Sequence, residues 1–285
     1  MKYLLTGSEG FIGKKLGEKL KLKGDVYGVD LKNGLDLKSM EVVNNLPECD
    51  MLFHFAATNG TKIFYDHPQD VLVNNSISTI NLVQKYSQSN IKFIFASTCE
   101  IFNGATDLGI YKIPTDENVP VVFDDILNPR WSYSLPKALG ENLIANSMKN
   151  WLIIRYFNIY GPGQVHHFIN EFVERVKLGQ YFIKGDDTRS FCYIDDAVNI
   201  SEKLSHLSNN MIVNIGAAEE VKISSVAKMI LKFMGVSPNK LEIRPGLEGS
   251  AKRRCPDVKK ALSITNYKYQ YSLENGLKKT VESLL

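Results

Sequence analysis

The stretch Thr6-Gly7-Ser8-Glu9-Gly10-Phe11-Ile12-Gly13 decides how the rest of the chain is read. Before it runs a short apolar segment, 2–5. After it Ile12, Leu16 and Leu20 recur every four residues. Strand, glycine turn and amphipathic helix in that order form the start of a nucleotide-binding βα unit. Gly7 allows the tight turn, Gly10 lets a pyrophosphate approach the backbone, and Gly13 lets the helix pack close on the strand. The opening of that helix, at Phe11 and Ile12, presents unpaired N–H groups and a partial positive charge to phosphate. The spacing is G-x-x-G-x-x-G, and by itself it fits a structural turn equally well. Asp30 supplies an independent sign. It ends the next apolar run, 25–29, where a carboxylate can accept hydrogen bonds from both ribose hydroxyls and repel the extra phosphate of NADP.

Working outward, further apolar runs at 51–56, 91–96, 151–154 and 211–215 alternate with helical patterns, among them 76–88, 133–147 and 223–234. Alternation of this kind predicts an α/β fold with a doubly wound parallel sheet, whose strands are apolar on both faces. The texture changes at Gly161-Pro162-Gly163, a breaker cluster. The predicted division is a nucleotide-binding domain of 1–160 and 195–235 and a smaller discontinuous C-terminal substrate lobe of 161–194 and 236–285.

The 285 residues are 44% hydrophobic and 23% charged, with net charge +3. This composition fits a soluble globular protein and gives no reason to expect disorder. The five lysines between Lys14 and Lys23 read as the wet face of the first helix, so nucleic acid is not an expected partner. No apolar run reaches membrane-span length and the N-terminus lacks a signal-peptide pattern, so a cytoplasmic location without a membrane partner is expected. Cys49, Cys99, Cys192 and Cys255 are scattered, without the spacing of a metal site.

Tyr133 and Lys137 stand four apart on a predicted helix and share a face. An ammonium there favours tyrosinate, and the pair can take a proton from a sugar hydroxyl. Ser97-Thr98-Cys99-Glu100 follows a strand end, where ligands bind in parallel sheets. Thr98 can hydrogen-bond a reacting hydroxyl and Glu100 can move a proton at a neighbouring carbon. Cys99 is either a weak acid or packing. His166 and His167 follow the Gly-Pro-Gly turn and read as loop histidines, and His54 as a residue of the core strand. Lys62 and Tyr65 lie where a sugar pocket can form.

These motifs, taken together with His54-Phe55-Ala56-Ala57, Arg155 to Gln164, Arg189 to Asp196 and Arg253-Arg254-Cys255-Pro256-Asp257, resemble the extended short-chain dehydrogenase/reductase family, in its NAD-dependent sugar-nucleotide epimerase/dehydratase branch. The resemblance covers nearly the whole chain and implies a Rossmann-type fold, NAD as cofactor and a nucleotide-diphosphate sugar as substrate. It implies roles for individual residues. Gly7, Gly10, Phe11, Ile12, Gly13 and Asp30 hold NAD, with Asp36 and Leu37 at the adenine. Ala56 and Ala57 line the pyrophosphate channel, and Asn75 stands near the cofactor. Thr98, Tyr133 and Lys137 are catalytic, with Cys99 and Glu100 beside them. Asn158, Arg189 and Arg254 meet the substrate diphosphate, and Asp257 the nucleotide ribose. A homodimer through the helices at 76–88 and 133–147 is implied as well. Ser78, Phe102-Asn103 and Pro136 depart from the branch pattern. The expected activity is epimerisation or dehydration through transient oxidation at sugar C4. Decarboxylation of a uronic acid, suggested by Glu100 and by Asn128-Pro129-Arg130-Trp131, and a catalytically silent NAD binder stand as alternatives. Arg130 is either a carboxylate holder or a surface cation.

Overall fold

In the computed structural model, which describes residues 1–246 and 251–285, the apolar runs form six strands. They are β1 (Lys2–Thr6), β2 (Asp25–Val29), β3 (Met51–His54), β4 (Lys92–Thr98), β5 (Asn150–Tyr156) and β6 (Met211–Ile215). Their order is β6-β5-β4-β3-β1-β2, and every neighbouring pair is parallel. The chain leaves β1 for β2 on one side and returns to β3 on the other, so a topological switch opens between β1 and β3, the place where such sheets bind ligands.

Burial on both faces explains the continuous apolar runs. Tyr3, Leu5, Phe53, Ile94 and Ile154 point into one core, while Leu4, Leu52, Phe93, Phe95 and Ile153 point into the other. The first core is closed by α1 (Phe11–Leu20) and by later helices. The second is closed by α2 (Pro68–Tyr86) and α3 (Trp131–Ser147), through residues such as Leu82, Tyr86 and Ile144.

Two strand ends differ from the apolar runs. The third run reads as reaching Ala56, but β3 stops at His54, the last residue paired with β1 and β4; the Phe55 N–H still donates to the Thr6 carbonyl at 3.1 Å. In contrast β4 continues through Ser97 to Thr98, polar residues paired in register with Arg155 and Tyr156 of β5. The helix expected from residue 76 already begins at Pro68, whose fixed φ suits a first helical position.

Beyond residue 160 the chain forms small sheets. Phe182–Lys184 pairs with Glu242–Arg244, and Thr188–Arg189 lies between Val221–Lys222 and Arg253–Arg254. Among the described residues no helix is long and apolar enough to cross a membrane, and no His, Cys, Asp or Glu group is arranged to hold a metal ion.

Candidate active site

The glycine turn is shaped by close approach. Gly7 has φ +72°, and a Cβ on it would lie 2.6 Å from the Ala56 nitrogen. A Cβ on Gly13 would lie 2.0 Å from the Gly7 carbonyl oxygen. The helix α1 begins at Phe11 with no side-chain cap on its first N–H groups and no acidic residue in its first turn, which leaves the positive end of its dipole for an anion. The side chains of Phe11 and Ile12 pack against the core. Asp30, at the end of β2, accepts from the Glu9 N–H at 3.0 Å with one oxygen and from the Lys32 N–H at 3.0 Å with the other. It thus caps a turn and ties β2 to the glycine loop together. Asp36 caps a turn at Lys38 N, whereas the Leu37 side chain is buried in the second core. Asn75 is buried and clamps Thr58, accepting from its N–H at 2.7 Å and donating to its carbonyl at 3.0 Å. The polypeptide therefore lines the switch between β1 and β3 with glycine, alanine and backbone N–H, a shape that fits a dinucleotide pyrophosphate.

Next along the sheet, Thr98 ends β4 and its hydroxyl accepts from the Glu100 N–H at 3.2 Å. Tyr133 and Lys137 lie on α3, both buried. The Lys137 ammonium donates to the Ala96 carbonyl at 2.7 Å and lies 5.8 Å from the centre of the Tyr133 ring. The expectation that lysine lowers the tyrosine pKa is not met. Burial, followed by Glu100 and Cys99, pushes the Tyr133 phenol up, and burial brings Lys137 down to about 7 although Glu141 works the other way. Desolvation penalises both charged forms and outweighs their mutual attraction at this separation. Pro136 is the sixth residue of α3 and cannot donate to the Ser132 carbonyl, yet the helix runs on to Ser147.

Glu100 is held by cations. Its Oε2 accepts from Arg130 Nη2 at 3.2 Å, Arg130 Nε at 3.3 Å and Asn103 Nδ2 at 2.6 Å, and its Oε1 meets Arg254 at 2.5 Å. Burial alone would raise its pKa, but Arg254 and Arg130 hold it below the usual carboxylate range. Arg130 is 8% exposed and also pairs with Asp107 at 3.7 Å, so it is not a surface cation. Cys99 packs with Ile101, Phe102 and Phe157, and burial pushes its thiol up to about 11. That favours packing over acid chemistry.

Arg189 and Arg254 face each other in register on paired strands. Burial and then Arg254 bring Arg189 down to about 10, with Asp187 partly compensating at 3.6 Å. Asn158 donates to the Ser190 carbonyl at 3.0 Å, and Asp257 caps its own turn at the Lys259 N–H. His166 is exposed with φ +58°, and burial lowers the pKa of the half-buried His167. Tyr65 is 41% exposed. Two contacts around this site are absent from the reading of the sequence. Phe64 stacks flat on Tyr133, with ring centres 4.8 Å apart and planes 14° apart, and Asn103 reaches Glu100.

Residues 3–216 match the model of the NAD dependent epimerase/dehydratase family. The chain belongs to that family. As a member of this NAD dependent family it takes NAD, for which the crevice beside Gly7 is shaped. A curated relative, UDP-N-acetyl-alpha-D-glucosaminuronate decarboxylase of Bacillus cytotoxicus, is 29% identical over 98% of this chain and 96% of its own. Among solved structures, UDP-glucose 4-epimerase of Thermotoga maritima with UDP-glucose superposes with a TM-score of 0.87 at 25% identity, covering 99% of this chain and 98% of that one. UDP-glucuronic acid 4-epimerase of Bacillus cereus, in complex with a fluorinated UDP-glucuronic acid and NAD, superposes at 0.84 and 25% identity, covering 100% and 99%. The chain is thus similar in sequence to a decarboxylase of a UDP sugar and shares the fold of UDP-sugar epimerases.

Proposed function

We propose that this family member is an NAD-dependent enzyme that remodels a UDP sugar through transient oxidation at C4. The observation that carries the reading is the placement of Thr98, Tyr133 and Lys137. All three are buried: Thr98 ends β4, Lys137 donates to the Ala96 carbonyl two residues earlier on that strand, and the Lys137 ammonium lies 5.8 Å from the centre of the Tyr133 ring. In its tyrosinate form Tyr133 takes the C4 hydroxyl proton and as the phenol it returns it, Thr98 holds the same hydroxyl, and Lys137 orients the pair. NAD, when bound, supplies the hydride acceptor. Arg189 and Arg254, side by side, suit a diphosphate, since guanidinium forks bind phosphate oxygens in pairs. Asn158 and Asp257 are assigned with them to the substrate, and residues 161–194 and 236–285 to the lobe that carries it.

A ketone at C4 acidifies its neighbouring C–H bonds, and the outcome then depends on the site. Return of hydride to the opposite face gives an epimer. Ordinary 4,6-dehydration needs an acid beside Thr98, a role for which the packed Cys99 thiol is poorly suited. A second reading, decarboxylation of a UDP uronate, is favoured by the buried Arg130–Glu100–Arg254 cluster, which places two guanidinium groups beside the catalytic residues. The test is incubation with NAD and a panel of UDP sugars, uronic acids included, read by mass spectrometry and proton NMR. Unchanged mass with a new anomeric signal establishes an epimerase, and loss of carbon dioxide a decarboxylase. No product and no NADH from any UDP sugar would overturn the proposal.

A further inference from the structure

His54 ends β3 beneath the dinucleotide crevice and is 1% exposed. Both ring nitrogens are hydrogen-bonded. Nδ1 lies 2.8 Å from the Thr6 hydroxyl and Nε2 lies 3.0 Å from the Thr79 hydroxyl. The direction of each bond follows from the other partners of the two hydroxyls. Thr79 donates its proton to the Asn75 carbonyl at 2.9 Å, so it accepts from His54 Nε2. Thr6 accepts from the Phe55 and Ala56 N–H groups, each at 3.2 Å, so its own proton goes to His54 Nδ1. A hydroxyl has one proton to give, and the imidazole is thereby fixed as the neutral Nε2–H form. Phe95 stacks on one face of the ring at 5.6 Å between centres, and Phe93 meets it edge-on at 6.1 Å.

The chain of bonds has two ends. At one, the Thr6 hydroxyl fixes the N–H groups of Phe55 and Ala56, whose backbone lies against Gly7. At the other, Asn75 clamps Thr58. The imidazole thus braces the segment 55–58 at its 55–56 end through Thr6, while the Asn75 side chain holds its other end independently.

We propose that His54 is a positioning residue for the cofactor: as the Nε2–H tautomer it aims the Thr6 hydroxyl, and through it sets the 55–58 backbone that forms one wall of the crevice. This rests on the reading that the crevice takes the NAD pyrophosphate. Burial, and then the nearby Lys137, bring His54 down to about 3, so the arrangement persists across the physiological pH range. A second proton on Nδ1 would face a hydroxyl that already accepts twice and would leave the Thr6 proton without an acceptor.

The two arms can be cut separately. His54→Asn keeps an acceptor facing Thr6, and His54→Gln keeps a donor facing Thr79. NAD affinity by calorimetry is expected to stay near the parent value in His54→Asn and to fall roughly tenfold or more in His54→Gln, the size of one lost buried hydrogen bond. Thermal midpoints should drop in both, which separates positioning from a merely structural role. Equal NAD affinity in the two variants would overturn the proposal. Imidazole 15N shifts of the unmodified protein need no variant: Nε2–H down to about pH 5 is expected, and a cationic or Nδ1–H ring sinks the idea. Thr6→Val tests the crevice reading itself. If it leaves NAD affinity unchanged while the ring is Nε2–H, the wall is not where NAD lies, and the proposal fails with that reading rather than on the tautomer.

Discussion

At the residue scale the site depends on two groups held against their charged forms. Tyr133→Phe removes the phenol that exchanges a proton with the substrate. Turnover is expected to fall by roughly 10²–10⁴-fold, the range for general acid–base groups, while calorimetry shows NAD binding unchanged. Unaltered turnover would remove Tyr133 from the mechanism. Lys137 makes a prediction about stability. Its pKa is about 7 in the folded protein, below the ordinary 10.5. Between those values the unfolded chain binds a proton that the folded chain does not, so this group makes the protein more stable as pH rises through the window and less stable below it. Lys137→Met removes the dependence. Urea unfolding should show the variant at its greatest advantage over the parent below about pH 7, with that advantage shrinking as pH rises and gone only near pH 10.5. A difference that does not vary with pH would mean that Lys137 is not destabilised by burial.

At the scale of elements, the contact between α1 and β1 depends on the absence of a side chain. The Cβ of Gly13→Ala would meet the Gly7 carbonyl at 2.0 Å, a backbone atom that cannot swing away. The helix must lift off the strand, at a cost of about 3 kcal/mol or more by the measure of overpacked cores. Urea unfolding and NAD calorimetry on the variant should both report it. Pro136 works in the opposite direction. Pro136→Ala restores a bond to the Ser132 carbonyl within α3 and is expected to raise stability by about 1 kcal/mol, after allowing for the greater freedom of the unfolded chain. What the sequence disclosed follows the same division. The glycine turn and the Tyr133–Lys137 spacing were legible because each depends on neighbours a few residues away. So was the parallel sheet, because burial on both faces is written in the apolar runs. The end of β3 was misplaced because Ala56 continues the apolar run although the pairing with β1 and β4 ends at His54. The flat stack of Phe64 on Tyr133 and the grip of Arg130 and Arg254 on Glu100 join distant segments and left no periodic trace. Neither did the loss of the tyrosinate advantage, which depends on how deeply the fold buries α3.

At the scale of the whole molecule, the outer faces of α2 and α3 carry apolar side chains that no part of this chain covers among the described residues. Leu72, Val73 and Ile77 on α2 and Leu139 on α3 are each 36–41% exposed. Two adjacent helices with such a face suit an isologous contact with a second copy, in which the same patch meets itself. The proposed homodimer then has a four-helix seam, and α3 brings each Tyr133 close to it. Val73 and Ile77 are one helical turn apart, so a pair of aspartates there would place like charges against like charges across the two-fold axis. Light scattering of the parent should give twice the 32.1 kDa of one chain, and the Val73→Asp, Ile77→Asp double variant should give a single chain. NAD affinity should survive in that variant, because the crevice between β1 and β3 belongs wholly to one chain. Turnover should fall, because α3 loses the support that holds Tyr133 against Phe64. A parent that is monomeric at working concentration would end the dimer proposal and leave the apolar face to another partner.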